Sequence, residues 1–305
     1  MTDPSARDVR RGVHRDRAVT AAVTTNSIVG RPSISVQPRV VHAAAADDAP
    51  APRRSAVEAA ARRELAACYR LFDALGWTEG IFNHITVRVP SDGDRAHYLI
   101  NPFGLHYSEV TPDNLIKIDV DGDDLERSGG AVNRAGFVIH GAIHAARDDA
   151  HCIMHVHTTA GCAVACKASG LRHDNFYSAM MAGDVGYHDY EGVTTGLDER
   201  PRLVASLGGA SHLILRNHGL LAVGRTLPQA FKRLWTLQRA CEIQLASDAG
   251  AGPNHPIAPD VLARVPATQR KMAVTASDGG TAPDNDTLLF DAMVRRAGID
   301  YVRGT

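Results

Sequence analysis

The sequence lacks a charge excess of either sign and lacks a long apolar run. Its 305 residues include 33 lysines and arginines against 34 aspartates and glutamates, which gives a net charge of −1. The chain as a whole therefore has no field that would attract nucleic acid or an anionic membrane. No apolar run reaches the ~18 residues that a membrane-spanning helix requires. We expect neither a nucleic-acid partner nor a membrane partner.

Cysteines are also scarce, odd in number and not spaced as in a zinc finger. Disulfide frameworks are typical of small secreted proteins, so we interpret these thiols as reduced and expect a cytoplasmic location. The remaining composition, 44% hydrophobic and 22% charged, is that of an ordinary globular protein. The five cysteines are Cys68, Cys152, Cys162, Cys166 and Cys241.

Residues 1–54 differ from the rest, because their apolar residues follow no period between many alanines, arginines and prolines. We predict a disordered leader over 1–54 and one folded domain over 55–305. The domain begins with a capping box, in which Ser55 and Glu58 would satisfy the first free amides of a helix. Gly76 is predicted to end that helix.

Short strands and helices are mixed along the domain. The patterns predict strands at 85–89, 98–101, 115–120, 152–156 and 213–216, and helices at 137–147, 160–168, 227–247 and 286–296. Residues 250–283 are rich in glycine, proline, alanine and aspartate and are predicted to be a loop. Several strands are linked as hairpins. We therefore predict an α/β fold with α/β/α layers around a mostly antiparallel central sheet.

The strongest local chemical signal is His155-Val156-His157 in a predicted strand. Residues i and i+2 of a strand project to the same face, so the two imidazoles could reach one ion. Taken alone, the pattern is more typical of two partly buried, hydrogen-bonded histidines.

Two further segments place polar residues at strand ends. Arg216-Asn217-His218-Gly219 follows an apolar strand, so His218 could be aimed into a cleft or could cap local carbonyls. Asn83 directly precedes a strand, where asparagine often makes a turn.

In this order and spacing, these segments resemble the class II aldolase/adducin family over about residues 55–248. The stretches that carry the resemblance are 83–88 (NHITVR), 101–109 (NPFGLHYSE), 135–140 (AGFVIH), His155-Val156-His157 and Arg216-Asn217-His218-Gly219. The resemblance implies a class II aldolase-like domain and a cyclic homotetramer with sites at subunit interfaces.

The resemblance also implies that His155, His157 and His218 ligate one divalent metal, with Zn²⁺ expected first and Fe²⁺ or Mn²⁺ as alternatives. Such an ion with open positions can chelate a substrate carbonyl and an adjacent hydroxyl and can stabilise an enediolate. The expected function is a metal-dependent lyase, of aldolase or decarboxylase type, that cleaves a C–C bond next to a carbonyl.

The chain departs from the sugar-phosphate aldolases at the expected substrate site. Their metal-binding glutamate, four residues before the position of His140, is Gly136 here, and Arg134 and Ala135 replace two phosphate-binding serines. Phe103 replaces a phosphate-binding threonine. We expect a substrate with a carbonyl and also a carboxylate, which Arg134 could grip unless it is a solvated residue. The expected substrate-binding residues are Asn83, Phe103, Gly104 and Arg134.

Without the glutamate, another group must move protons. We expect His140, Tyr177 and Glu109 as candidates, although each could instead be structural. Tyr177 resembles a tyrosine that reaches a neighbouring subunit's site in the aldolases.

Two alternative functions remain open. One is a non-haem iron oxygenase acting on an aromatic 2-oxo acid, which the missing glutamate, Phe103 and Arg134 favour. The other is a non-catalytic adducin-like interaction module, which Gly136 and the adducin-like stretch 186–190 (GYHDY) favour.

Overall fold

The computed structural model describes residues 54–91, 93, 95–192, 196–271 and 284–303, with the backbone only at 134, 135, 270 and 271. Residues 1–53 lie outside the described residues. The leader and the domain boundary at residue 55 therefore stay predictions.

A seven-stranded sheet forms the centre of the described chain. Its spatial order is β3-β2-β1-β4-β7-β6-β5, and neighbouring strands are antiparallel except for the parallel pair β5–β6. The strands are β1 (His84–Val89), β2 (His97–Ile100), β3 (Ile116–Ile118), β4 (Cys152–Val156), β5 (Val185–His188), β6 (His212–Leu215) and β7 (Gly219–Gly224). The prediction of a mostly antiparallel central sheet is confirmed.

Helices pack on both faces of this sheet. They are α1 (Ala56–Leu75), α2 (Arg134–Ala146), α3 (Thr159–Ala165), α4 (Phe176–Met180), α5 (Arg200–Leu207), α6 (Leu227–Asp248), α7 (Pro259–Lys271) and α8 (Asn285–Arg296).

The two faces of strand β4 pack into different cores. Met154 belongs to the larger core, which contains side chains of α1, α6 and α8. Ile153 points the other way and packs with side chains of α2 and α5. Because alternate residues of a strand face opposite sides, His155 lies on the α2 side with Ile153. The layering predicted from the sequence is therefore present.

Helix α1 begins and ends as predicted, but its capping box is incomplete. The Ser55 hydroxyl accepts from the Glu58 amide at 3.1 Å, and Gly76 ends the helix with φ of 70°. The Glu58 carboxylate turns inward and binds Arg62 and Lys117, each at 2.9 Å. It is therefore used in packing α1 onto β3 rather than in capping.

The prediction of a loop over 250–283 is wrong in part, because α7 (Pro259–Lys271) lies within it. Pro259 lies in the first turn of α7, where proline is favourable. Val261, Leu262 and Val265 form an apolar stripe, which is not evident from the average composition of the segment. Strands β5 and β7 and helices α4 and α5 were also not predicted. Within the described ranges, no helix has the length and hydropathy needed to cross a membrane.

Candidate metal centre

Two neighbouring strands place histidines side by side on the α2 face of the sheet. His84 of β1 and His155 of β4 are directly paired across the antiparallel ladder. Side chains of such pairs lie on the same face and interact. The two ring centroids are 6.0 Å apart.

The β6–β7 hairpin brings the third segment to this point. Leu215 pairs with Gly219, so the loop between them contains residues 216–218. Asn217 adopts the left-handed region with φ of 57°, which asparagine tolerates better than most residues. A Cβ on Gly219 would lie 2.4 Å from the Val156 carbonyl oxygen and 3.2 Å from Cε1 of His155. The glycine therefore lets the hairpin approach β4 closely enough for His218 to join the other histidines.

Three imidazoles converge at the end of β4. The rings of His155, His157 and His218 have centroids 4.5 to 4.8 Å apart, and one nitrogen of each lies within 4.8 Å of the others. His155 Nε2 and His157 Nε2 are 2.7 Å apart, so both nitrogens point to the same position. The structure thus brings together the three residues that the sequence predicts as metal ligands.

The three imidazoles are in the protonation state that can bind a cation. His155 Nδ1 donates to the Leu220 carbonyl at 2.9 Å, which directs the lone pair of Nε2 toward the other two rings. Burial lowers the pKa of His155 well below its usual value and also lowers the pKa of His157. Burial and the nearby His157 lower the pKa of His218 to about 4. At neutral pH all three rings are neutral, which is the form that ligates a divalent metal.

His84, which sequence reasoning missed, lies next to this centre. Burial lowers its pKa to about 4, although the Gly136 and Phe82 backbone nearby favours the charged ring. Neither ring nitrogen makes a hydrogen bond of ordinary geometry. The sequence indicates only that His84 shares the polar face of β1 with Thr86 and Arg88, and it does not indicate which strand lies beside that face.

Gly136, the position of the family's glutamate, lies against His84. A Cβ at Gly136 would lie 2.4 Å from Cε1 and 2.6 Å from Nδ1 of His84. The imidazole therefore occupies the space that a side chain at position 136 would need.

His140 ends a chain of hydrogen bonds on the same face. The Ala150 carbonyl can only accept, so Nδ1 of His144 donates to it at 2.7 Å, and burial lowers the pKa of His144 to about 3. Its neutral Nε2 then accepts from the Thr86 hydroxyl, whose oxygen accepts from His140 Nδ1, both at 2.8 Å. His140 Nε2 is left as a buried lone pair without a partner among the described residues, and its ring is 4.1 Å from the ring of His84.

The expected substrate-binding residues lie near the start of α2. Asn83 is buried, and its side-chain amide donates to the Trp77 carbonyl at 3.3 Å, while its side-chain oxygen accepts from no described residue. The Phe103 ring is partly exposed and lies 6.2 Å from that of Phe82, and Gly104 has φ of 100°. Arg134 begins α2, and its side chain is outside the described part of the structure.

Two expected proton-moving residues have other local partners. The Glu109 carboxylate accepts from the His106 amide at 2.8 Å in a short 3₁₀ turn. The Tyr177 ring packs against Trp235 at 5.6 Å. No hydrogen bond or ion pair among the described residues joins either one to the three histidines. Tyr190, which is exposed, has its ring 6.4 Å from His218 and helps line a cleft there.

Residues 63–245 match the family profile of the class II aldolase and adducin N-terminal domain. The chain belongs to the class II aldolase and adducin family. Sequence recognition of this family is therefore confirmed, and the match covers the whole of the candidate metal centre.

Relatives in this family include both enzymes and adducins. An aldolase II superfamily protein from Pseudomonas syringae is 40% identical, with a TM-score of 0.72 over 80% of this chain and 94% of that chain. An L-fuculose 1-phosphate aldolase from Glaciozyma antarctica is 28% identical, with a TM-score of 0.65 over 81% of this chain and 93% of that chain. Alpha-adducin of Mus musculus is 44% identical over 77% of this chain but only 32% of its own length.

Proposed function

We propose that this member of the class II aldolase and adducin family is a metal-dependent lyase. In this proposal His155, His157 and His218 hold one divalent ion, Zn²⁺ before Fe²⁺ or Mn²⁺. The reaction is cleavage of a C–C bond next to a carbonyl, by aldol cleavage or decarboxylation through an enediolate. The observation that carries the proposal is the meeting of three neutral imidazoles at one point.

The donor set supports this choice of chemistry. When bound, a divalent ion supplies Lewis acidity at oxygens where negative charge develops as the bond breaks. The chain contributes neutral ligands, which leave the full charge on such an ion. It also fixes His155 in one tautomer through the Leu220 carbonyl. Of the three residues expected to move protons, His140 is the best placed to hold a proton beside the site, because its Nε2 makes no hydrogen bond to a described residue.

The surroundings of the three histidines favour a substrate other than a standard sugar phosphate. Position 136 carries no carboxylate, and the half-exposed rings of Phe82 and Phe103 lie together near the start of α2. Aromatic rings bind flat or apolar groups better than phosphate. We propose a carbonyl substrate that carries a carboxylate, with Arg134, Asn83 and Gly104 contributing to its binding.

The experiment is a substrate screen of protein reconstituted separately with Zn²⁺, Fe²⁺ and Mn²⁺. Hydroxylated 2-oxo acids and aldol adducts are assayed with and without oxygen. The proposal predicts release of a carbonyl product or of CO₂ in the absence of oxygen. The substitution His155→Ala should abolish this release. Turnover only with Fe²⁺ and oxygen would instead identify the oxygenase alternative.

A second candidate is an adducin-like interaction module, which the 44% identity to mouse alpha-adducin favours. Such a module has no need of a bound ion. Protein that binds no divalent ion after reconstitution and that turns over no substrate would favour this candidate.

We also propose a homotetramer in which Tyr177 reaches a neighbouring copy's site. Tyr177 is partly buried beside the exposed ring of Phe176. A cytoplasmic location stays a prediction from the reduced cysteines.

A further inference from the structure

Two histidines on the α2 face have opposite hydrogen-bonding states. His144 uses both ring nitrogens, one toward the Ala150 carbonyl and one toward the Thr86 hydroxyl. His84 is equally buried, with 2% of its surface exposed, yet neither of its nitrogens makes a hydrogen bond of ordinary geometry to a described residue. Buried polar groups are nearly always paired, so an unpaired imidazole requires an explanation. His144 shows what a structural histidine looks like in this fold, and His84 differs from it.

The position of His84 indicates what its partner is. It is the cross-strand neighbour of His155, so its ring borders the three converging histidines. The absence of a side chain at Gly136 makes room for this ring. A longer side chain at position 136 would displace the ring from this place.

We propose that His84 is a substrate-binding residue, whose neutral imidazole hydrogen-bonds an oxygen of the carbonyl substrate held at the three-histidine centre. Where the sugar-phosphate aldolases have a carboxylate at position 136, this chain has the neutral His84 imidazole, which can donate a hydrogen bond. Such a donor favours substrates whose oxygens carry negative charge. The inference rests on the proposed function, since it requires an ion at the three histidines.

The first test measures ligand binding rather than turnover. Wild type, His84→Phe and His84→Gln are loaded with Co²⁺ and titrated calorimetrically with acetohydroxamate, a bidentate chelator with oxygens like those of the substrate. His151→Phe, at an exposed histidine, is the control. We expect full Co²⁺ content in all four proteins. We expect about tenfold weaker hydroxamate binding in His84→Phe, because one hydrogen bond is lost, and partial recovery in His84→Gln.

The outcomes separate this inference from the proposed function. Wild type that binds no Co²⁺ would overturn both. Full Co²⁺ content with equal hydroxamate affinity in wild type and His84→Phe would overturn the role of His84 alone.

A second test needs no metal and examines the Gly136–His84 pair itself. Melting temperatures are measured in chelator for Gly136→Ala, His84→Ala and the double variant. With His84 present, the new Cβ has no space, so Gly136→Ala should lower the melting temperature by several degrees. With His84→Ala, the same change should be neutral or stabilising, since alanine favours a helix. If Gly136→Ala lowered the melting temperature equally with and without His84, the proposed contact between position 136 and the His84 ring would be contradicted.

Discussion

At the scale of single residues, Gly219 determines whether the three imidazoles can meet. Its Cα lies so close to β4 that an added methyl group would overlap the Val156 carbonyl and crowd both His155 and His157. The glycine is therefore required by close approach rather than by a turn.

We expect Gly219→Ala to destabilise the protein by about 1–3 kcal/mol, the usual cost of overpacking, and to reduce metal binding. Chemical denaturation and metal analysis measure the two effects. Gly209→Ala is the matched control, because a Cβ there meets nothing within 4 Å. Similar behaviour of the two variants would contradict the proposed role of Gly219.

The buried imidazoles also predict how stability depends on pH. An unfolded histidine has a pKa of about 6.5, whereas burial holds the pKa of His144 at about 3. Below pH 6.5 the unfolded chain therefore binds protons that the folded chain does not. The stabilisation is complete above pH 6.5 and is lost as the pH falls toward 3.

In metal-free protein, the His144 imidazole alone should lower the free energy of unfolding by about 2 kcal/mol between pH 6.5 and pH 5. Urea titrations at several pH values measure this slope. His144→Gln should make the slope shallower by about 1.4 kcal/mol per pH unit. A slope that is flat in wild type, or unchanged in the variant, would show that His144 titrates normally.

At the scale of elements, a buried charge cluster joins α1 to β3. Arg62 is 1% exposed and binds Glu58 and Glu126, each at 2.9 Å, and the Leu115 carbonyl at 2.7 Å. Removal of Arg62 leaves Glu58 with Lys117 and Glu126 with Arg54 as remaining counter-charges, and it deprives the Leu115 carbonyl of this donor.

Arg62→Ala should therefore cost about 2–3 kcal/mol of stability, because several buried charged hydrogen bonds are lost while each carboxylate keeps one cationic partner. Arg264→Ala breaks an exposed ion pair with Asp260 and should cost about 1 kcal/mol or less. Thermal or urea unfolding compares the two variants. A cost for Arg62→Ala no greater than that for Arg264→Ala would mean that the cluster does not hold α1 in place.

Elements with a strong local pattern could be predicted from the sequence, and the others could not. Helices α1 and α6 and strand β4 have clear periodicity or caps, and their bounds agree with the prediction within a residue. Strand β7 was missed because it is apolar throughout and directly follows the β6 loop. His84 was missed for another reason: its pairing opposite His155 depends on strand register, which neither segment encodes alone.

At the scale of the whole molecule, the proposed homotetramer predicts a particle of about four times the 32.6 kDa chain mass. Light scattering coupled to size exclusion measures this mass directly. Tyr177→Ala should leave the chain folded but lower activity, if Tyr177 reaches a neighbouring site. A monomer that retains full activity would contradict both the assembly and this role.

The metal-centre claim is tested most directly by the metal content of purified, reconstituted protein, determined by elemental analysis. We expect about one divalent ion per chain in wild type and in the exposed-site control His151→Ala. His155→Ala should lose the ion, because it removes the ligand whose tautomer the Leu220 carbonyl fixes. No bound ion in wild type, or equal ion content in His155→Ala and His151→Ala, would contradict the claim that the three histidines form a metal centre.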